Sequence, residues 1–223
     1  MDDQKLEQIA RDIEELKSAV RRNDPLMRAV LTTRGWGALG LGGGLGVTLF
    51  ALPAHFLSRA YGSFAAIPTP LKALVWAALG LAIVGGGAWK LALIARRASE
   101  VDSNSGLGEL FDSFFGATSI HVTGAMLVAI LVSIAWAVWA GRPWLALPAT
   151  GVVMGVWMNA IGSQTRVPEY LVAGWWSLLS GSAGLFLVEL SPFLWVLAIY
   201  GGMFYAFGVA APIIARRRGG GRA

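Results

Sequence analysis

The side chains able to do acid–base or ligand chemistry in this chain are few, and they keep to the ends of its apolar runs. His55, Arg59, Arg142 and Glu189 fall at one set of run ends. Lys90, His121, Asn159, Gln164, Arg166 and Glu169 fall at the other. If these ends face opposite sides of a membrane, the first group forms a candidate outer mouth. The second, Glu169 aside, forms a candidate inner mouth. A His55–Glu189 pair would titrate near neutrality and make the outer mouth sensitive to pH. The competing account is two unrelated interfacial residues.

Other chemistries lack their residues. The chain has 0 Cys, which removes thiolate ligands and cysteine nucleophiles. Its two histidines belong to opposite ends, so no two-histidine metal site forms within one chain. No Gly-x-Ser-x-Gly elbow, His-Glu-x-x-His motif, phosphate loop or paired intramembrane aspartate occurs. Within the apolar runs the polar groups are hydroxyls: Thr48, Ser133, Ser177, Ser180, Tyr200 and Tyr205. Each can satisfy itself on a helix carbonyl or a neighbouring helix. Coupled transporters and intramembrane enzymes keep an ionisable group near the midplane, because such groups are costly there. None is expected here, so the chain reads as non-enzymatic, with no catalytic residue, metal or cofactor.

The elements that position these residues follow from composition. Of 223 residues, 56% are hydrophobic and 14% charged, against about 25% charged in a soluble domain. The run from Pro192 to Ala215 holds no group charged at neutral pH and is closed by Arg216, Arg217 and Arg218. At about 1.5 Å per residue it outspans a hydrocarbon core of about 30 Å. Counting back gives six spans, at about 35–57, 70–95, 121–141, 143–161, 169–190 and 192–215. The expected fold is therefore all-α, a polytopic membrane bundle over 35–218 in three helical hairpins, with a flexible tail at 219–223. In each hairpin the second helix opens on a proline, Pro70, Pro143 or Pro192. Arg59, Lys72 and Arg142 are the outer cations, and the other fifteen of the 18 Lys and Arg lie inside. That bias places both termini in the cytoplasm, at the inner membrane if the cell is prokaryotic.

Outside the spans, residues 1–24 read as a cytoplasmic amphipathic helix. Leu6, Ile9, Ile13, Leu16 and Val20 repeat at 3-4 spacing, as on a coiled-coil seam. That face suits self-association or docking of a partner, and equally suits lying on the bundle or the bilayer. Asn23-Asp24-Pro25 breaks the helix, and 25–34 is a basic juxtamembrane segment. Residues 107–118 carry Leu107, Leu110, Phe111, Phe114 and Phe115 on one helical face, an interfacial element packed at the inner ends of the bundle.

Small residues mark where helices should meet. Gly40, Gly42, Gly44 and Gly46 form one packing seam, and Ser177, Ser180, Gly181 and Gly184, with Gly174, form another. Trp36, Trp89, Trp139, Trp144 and Trp195 sit near span ends, where indole anchors at the interface. Trp76, Trp136, Trp157, Trp175 and Trp176 read as packing or lipid-facing bulk. The basic residues border apolar runs, so the partners are lipid and either further copies or other membrane subunits, with no nucleic acid. Two functions fit. One is passive permeation of a small neutral solute, by a channel or facilitator working as a homo-oligomer. The other is an accessory or scaffold subunit of a larger membrane complex that docks a partner through the N-terminal helix.

Overall fold

The computed structural model describes residues 36–101, 117–165, 167–187 and 191–219. Segments 1–24 and 25–34, nearly all of 107–118, Arg166, Glu189 and the last four residues lie outside the described residues. The described regular structure is helical, with no strand. Its order is α1 (Trp36–Ala60), α2 (Thr69–Val101), α3 (Ala117–Trp139), a 3-10 turn (Pro143–Leu145), α4 (Ala146–Thr165), α5 (Pro168–Phe186), α6 (Pro192–Val196), a π turn (Leu197–Gly201) and α7 (Gly202–Gly219). Helix is what an apolar chain must form where water cannot satisfy the backbone. Prolines open α5 and α6 as well as the 3-10 turn, each at a first-turn position that needs no N–H donor. Gly62 and Gly141 take φ of 81° and 69° in the turns after α1 and α3, a conformation that favours glycine.

Several boundaries differ from the sequence reading. Helix α2 continues past Ala95 to Val101, α3 starts at Ala117 instead of His121, and α7 carries the terminal arginines on to Gly219. Each extension is polar, so it extends the helix beyond an apolar run. The last run is not one uniform helix, because the π turn divides α6 from α7.

The helices pack in the order α2, α1, α6–α7, α5, α4, α3. The most extensive contact joins α4 to α5, which the three-hairpin reading assigned to different hairpins. Antiparallel register is visible along both main seams. A Cβ on Gly40 would stand 2.7 Å from the Gly208 amide nitrogen, and one on Gly44 would meet the Tyr205 ring at 2.7 Å. A Cβ on Gly155 would stand 2.5 Å from the Leu178 nitrogen, and one on Gly181 2.7 Å from the Val152 nitrogen. The start of α1 and the end of α7 therefore share one end of the bundle, called the base here; the opposite end is the crown.

At the crown, Phe64 from the α1–α2 loop inserts among α1, α2 and α6. Its ring lies 5.3 Å from Phe193 and 6.4 Å from Trp76, while Phe50 lies 5.4 Å from Trp76. Phe50, Ala51, Ala54 and Val75 form the buried cluster beneath. Toward the base, Met158, Ala173, Met203 and Phe207 form a second cluster. The flanking helices α2 and α3 are exposed along most of their length, with Leu81 75% and Trp139 85% accessible.

Backbone contact leaves no space for a side chain on the seams. We expect Gly155→Leu and Gly40→Leu each to cost about 1–3 kcal/mol or to unfold the bundle. Gly85→Ala and Gly124→Ala meet nothing within 4 Å, and should be neutral or stabilising by up to about 1 kcal/mol through helix propensity. Unfolding by denaturing detergent in mixed micelles checks both pairs.

Candidate functional site

The interior polar groups are built as ties between helices. Thr48 donates to the Gly44 carbonyl of its own helix at 2.8 Å and lies 2.9 Å from the Tyr205 hydroxyl on α7. Thr150 on α4 bonds back to Ala146 and pairs with the Tyr200 hydroxyl in the π turn. Tyr200 also reaches the Leu147 carbonyl at 3.3 Å. Ser177 on α5, fully buried, donates to the Gly151 carbonyl of α4 at 2.8 Å. Ser133 and Ser180 bond within their own helices, to Ala129 and Trp176.

Trp176, expected as packing or lipid-facing bulk, is half exposed and adds a polar tie. Its indole N–H donates to the Ala198 carbonyl at 2.8 Å, inside the π turn. Trp195, expected at an interface, is instead buried, 3.2 Å from where a Cβ on Gly184 would lie. The reason is local: glycines at 184 and 202 leave slots into which an indole fits.

The expected packing residues divide among several contacts. Gly40 and Gly44 lie against α7, Gly46 against Ala82 of α2, and Gly42 near Trp89. Gly181 meets α4, and Gly184 lies against Pro148 and Trp195. Gly37 and Gly208 join the α1–α7 seam, while Gly151, Gly155 and Gly162 line the α4–α5 seam. Sequence reasoning passed over Gly208, Gly151, Gly155 and Gly162 as packing positions, and over Thr150. The small-xxx-small spacing of Gly151 and Gly155 was the available signal.

The end groups are more scattered. At the crown, half-buried His55 stacks edge-on to Phe56 at 5.4 Å, and its Nδ1 is buried with no hydrogen-bond partner. Arg59 follows one turn later, exposed. Arg142 is exposed in the α3–α4 turn, and α1 and α3 share no packed face, so it is not brought beside His55. Glu189 lies outside the described residues, and with it the pairing to His55. At the base, Lys90 is carried by α2 and His121 by α3, the two flanks of the packing order. Asn159 packs over Gly174 with its Oδ1 buried and unbonded, Gln164 is exposed one turn on, and Arg166 is not described.

Glu169 is the charged side chain in the buried set, 7% exposed in the first turn of α5. Its Oε2 is buried with no hydrogen-bond partner. Among the described residues, no group of three or more His, Asp or Glu could hold a metal ion.

Among the described residues, four segments are long and apolar enough to cross a bilayer: Gly37–Ala60, Thr69–Leu93, Pro143–Gln164 and Pro192–Ile214, with Thr123–Trp139 a shorter apolar helix. The described fold is all-helical, and its apolar helices are compatible with a multi-pass membrane protein. Compared with known protein families, curated proteins and solved structures, the chain matches none.

The Thr150–Tyr200 tie should behave as an interhelical membrane hydrogen bond worth about 0.6 kcal/mol, at most about 1.7. Thr150→Val and Tyr200→Phe should each lower stability by about that amount. The double variant should lose less than the two added together, read from a double-mutant cycle.

Proposed function

We propose that this chain is a non-enzymatic integral membrane protein that acts as an assembly subunit, packing laterally against other membrane helices. In this reading the bundle crosses the membrane six times. Helix α3 and α5 complete the four longer spans, and the base faces the cytoplasm. The terminal arginines and the Arg96-Arg97 pair all belong to that end, as the positive-inside rule requires.

The observation that carries the proposal is the closure of the seams. Along α1–α7 and α4–α5 the backbones touch, and the hydroxyls between them are spent on each other and on carbonyls. That closes those two interfaces to a solute path through a single protomer. The flanks differ. On α2, residues Ala73, Ala77, Gly80, Val84, Gly87 and Leu91 recur at alternating 4-3 spacing on a largely exposed face. Gly80, Gly85, Gly86 and Gly87 meet nothing within 4 Å. Glycine lowers helix propensity by about 1 kcal/mol, and its usual return in a membrane is close approach of a second helix. The N-terminal seam from Leu6 to Val20 would add a cytoplasmic contact for the same partner.

A second reading, passive permeation of a small neutral solute, is supported by the same bare α2 backbone if copies assemble around an axis that α2 lines. Native mass measurement of particles extracted in mild detergent separates the two. The assembly role predicts foreign subunits at fixed stoichiometry, lost in Gly80→Ile/Gly87→Ile, a variant whose own bundle stays folded. A symmetric homo-oligomer that passes neutral solutes in liposomes would favour permeation. A lone monomer in native lipid would contradict both.

A further inference from the structure

The π turn divides one apolar run into two halves that pack in different registers. On the crown side, Ile199 is fully buried with its side chain against Gly151, Trp195 sits on Gly184, and Tyr200 is tied to Thr150. On the base side, Tyr205 is tied to Thr48, and Gly208 lies against Gly40 and Leu41. A π turn takes in one residue more than the α-helix it interrupts, and that residue lets both halves reach their partners.

The extra residue disturbs the hydrogen-bond ladder at one place. The Gly202 N–H reaches the carbonyls of Leu197 and Ile199, passing over that of Ala198. The Trp176 indole donates to the Ala198 carbonyl instead. Gly202 makes room for it, since any Cβ there would collide with the indole. One side chain from α5 thus holds the irregular turn.

We propose that the π turn is a hinge latched by Trp176, and that releasing the latch opens the α1–α7 seam. If the turn reverts to α-helix with the crown half fixed, each base-side residue moves to the place of the one after it. That is a rotation of about 100° and a shift of about 1.5 Å. Phe207 then arrives where Gly208 lies, against Gly40, which has room for no side chain. Tyr205 leaves Thr48 at the same time. Helix α1, with α2 attached, must move off α7 instead of sliding along it. The device therefore converts a local change at α5 into opening of the base end of the α1–α7 seam, with the crown cluster on α6 as the pivot.

The cysteine-free chain makes the test direct. A Cβ on Gly37 would lie 3.5 Å from the Ala211 Cβ, within disulfide range. The full-length Gly37→Cys/Ala211→Cys protein in its native membrane should cross-link readily on mild oxidation. Adding Trp176→Phe should favour the open seam about three-fold, the equivalent of one interhelical hydrogen bond of about 0.6 kcal/mol, read as about three-fold faster alkylation of the reduced seam cysteines. Gly202→Ala, which displaces the indole, should do the same, while Ser180→Ala on the same helix should not. Unchanged rates in both Trp176→Phe and Gly202→Ala would overturn the proposal. Should those variants fail to accumulate, amide exchange on the unaltered protein decides: Gly202 and Met203 should exchange faster than the helices on either side. Protection equal to theirs would equally refute the hinge.

Discussion

Helices in hydrocarbon gain nothing from hiding apolar surface from one another, since lipid is as apolar as leucine. They associate where shape lets them come closer than lipid can. In this bundle glycine supplies that shape, and the two principal seams are places where one backbone rests on another. Gly155 meets Leu178 and Gly174 meets Asn159 across α4–α5; Gly40 meets Gly208 across α1–α7. Every other feature of the interior is adjusted to this closeness. Tryptophans enter where glycine has vacated a side-chain position, and hydroxyls bridge at short range because the helix axes are near.

Close approach also settles the polar accounting. A hydroxyl in a membrane interior needs a partner, and an α-helix offers its own carbonyls, as Ser133 and Ser180 show. Where two helices touch, the same group can reach across, as Ser177 does to Gly151. These ties are individually weak, about 0.6 kcal/mol on average, so they specify register more than they supply stability. The exposed flanks α2 and α3 each pack chiefly on a single neighbouring helix. That asymmetry underlies the reading of the protein as something that joins a larger assembly.

Much of the helical content was legible from residue type alone. Long apolar runs bounded by Arg96-Arg97 and Arg216 to Arg218 locate helices without reference to their partners. The small-residue seams were legible too, because close approach of a second helix is the commoner use of glycines such as Gly40 and Gly44, or Gly181 and Gly184, in an apolar helix. Which seam faces which helix was not, because a glycine records closeness without recording the neighbour. Gly46 turns to α2 while Gly44, half a turn away, turns to α7. The pairing of α4 with α5 was hidden for the same reason. The π turn left a fainter sign, the Gly201-Gly202 pair; the indole that bonds into it belongs to Trp176, 22 residues from Ala198 on another helix. The end groups show the opposite failing. Lys90 and His121 share a level along the bundle, and level was all that position in a run could specify.

The central claim, backbone-to-backbone contact across α4–α5, is open to direct measurement. Solid-state NMR of the protein in bilayers, labelled with 13C at glycine Cα and 15N at leucine, should show a through-space correlation between Gly155 Cα and the Leu178 amide nitrogen. Absence of that correlation in a sample that retains full helical signal would mean side chains or lipid hold the two helices apart, and the account would be wrong.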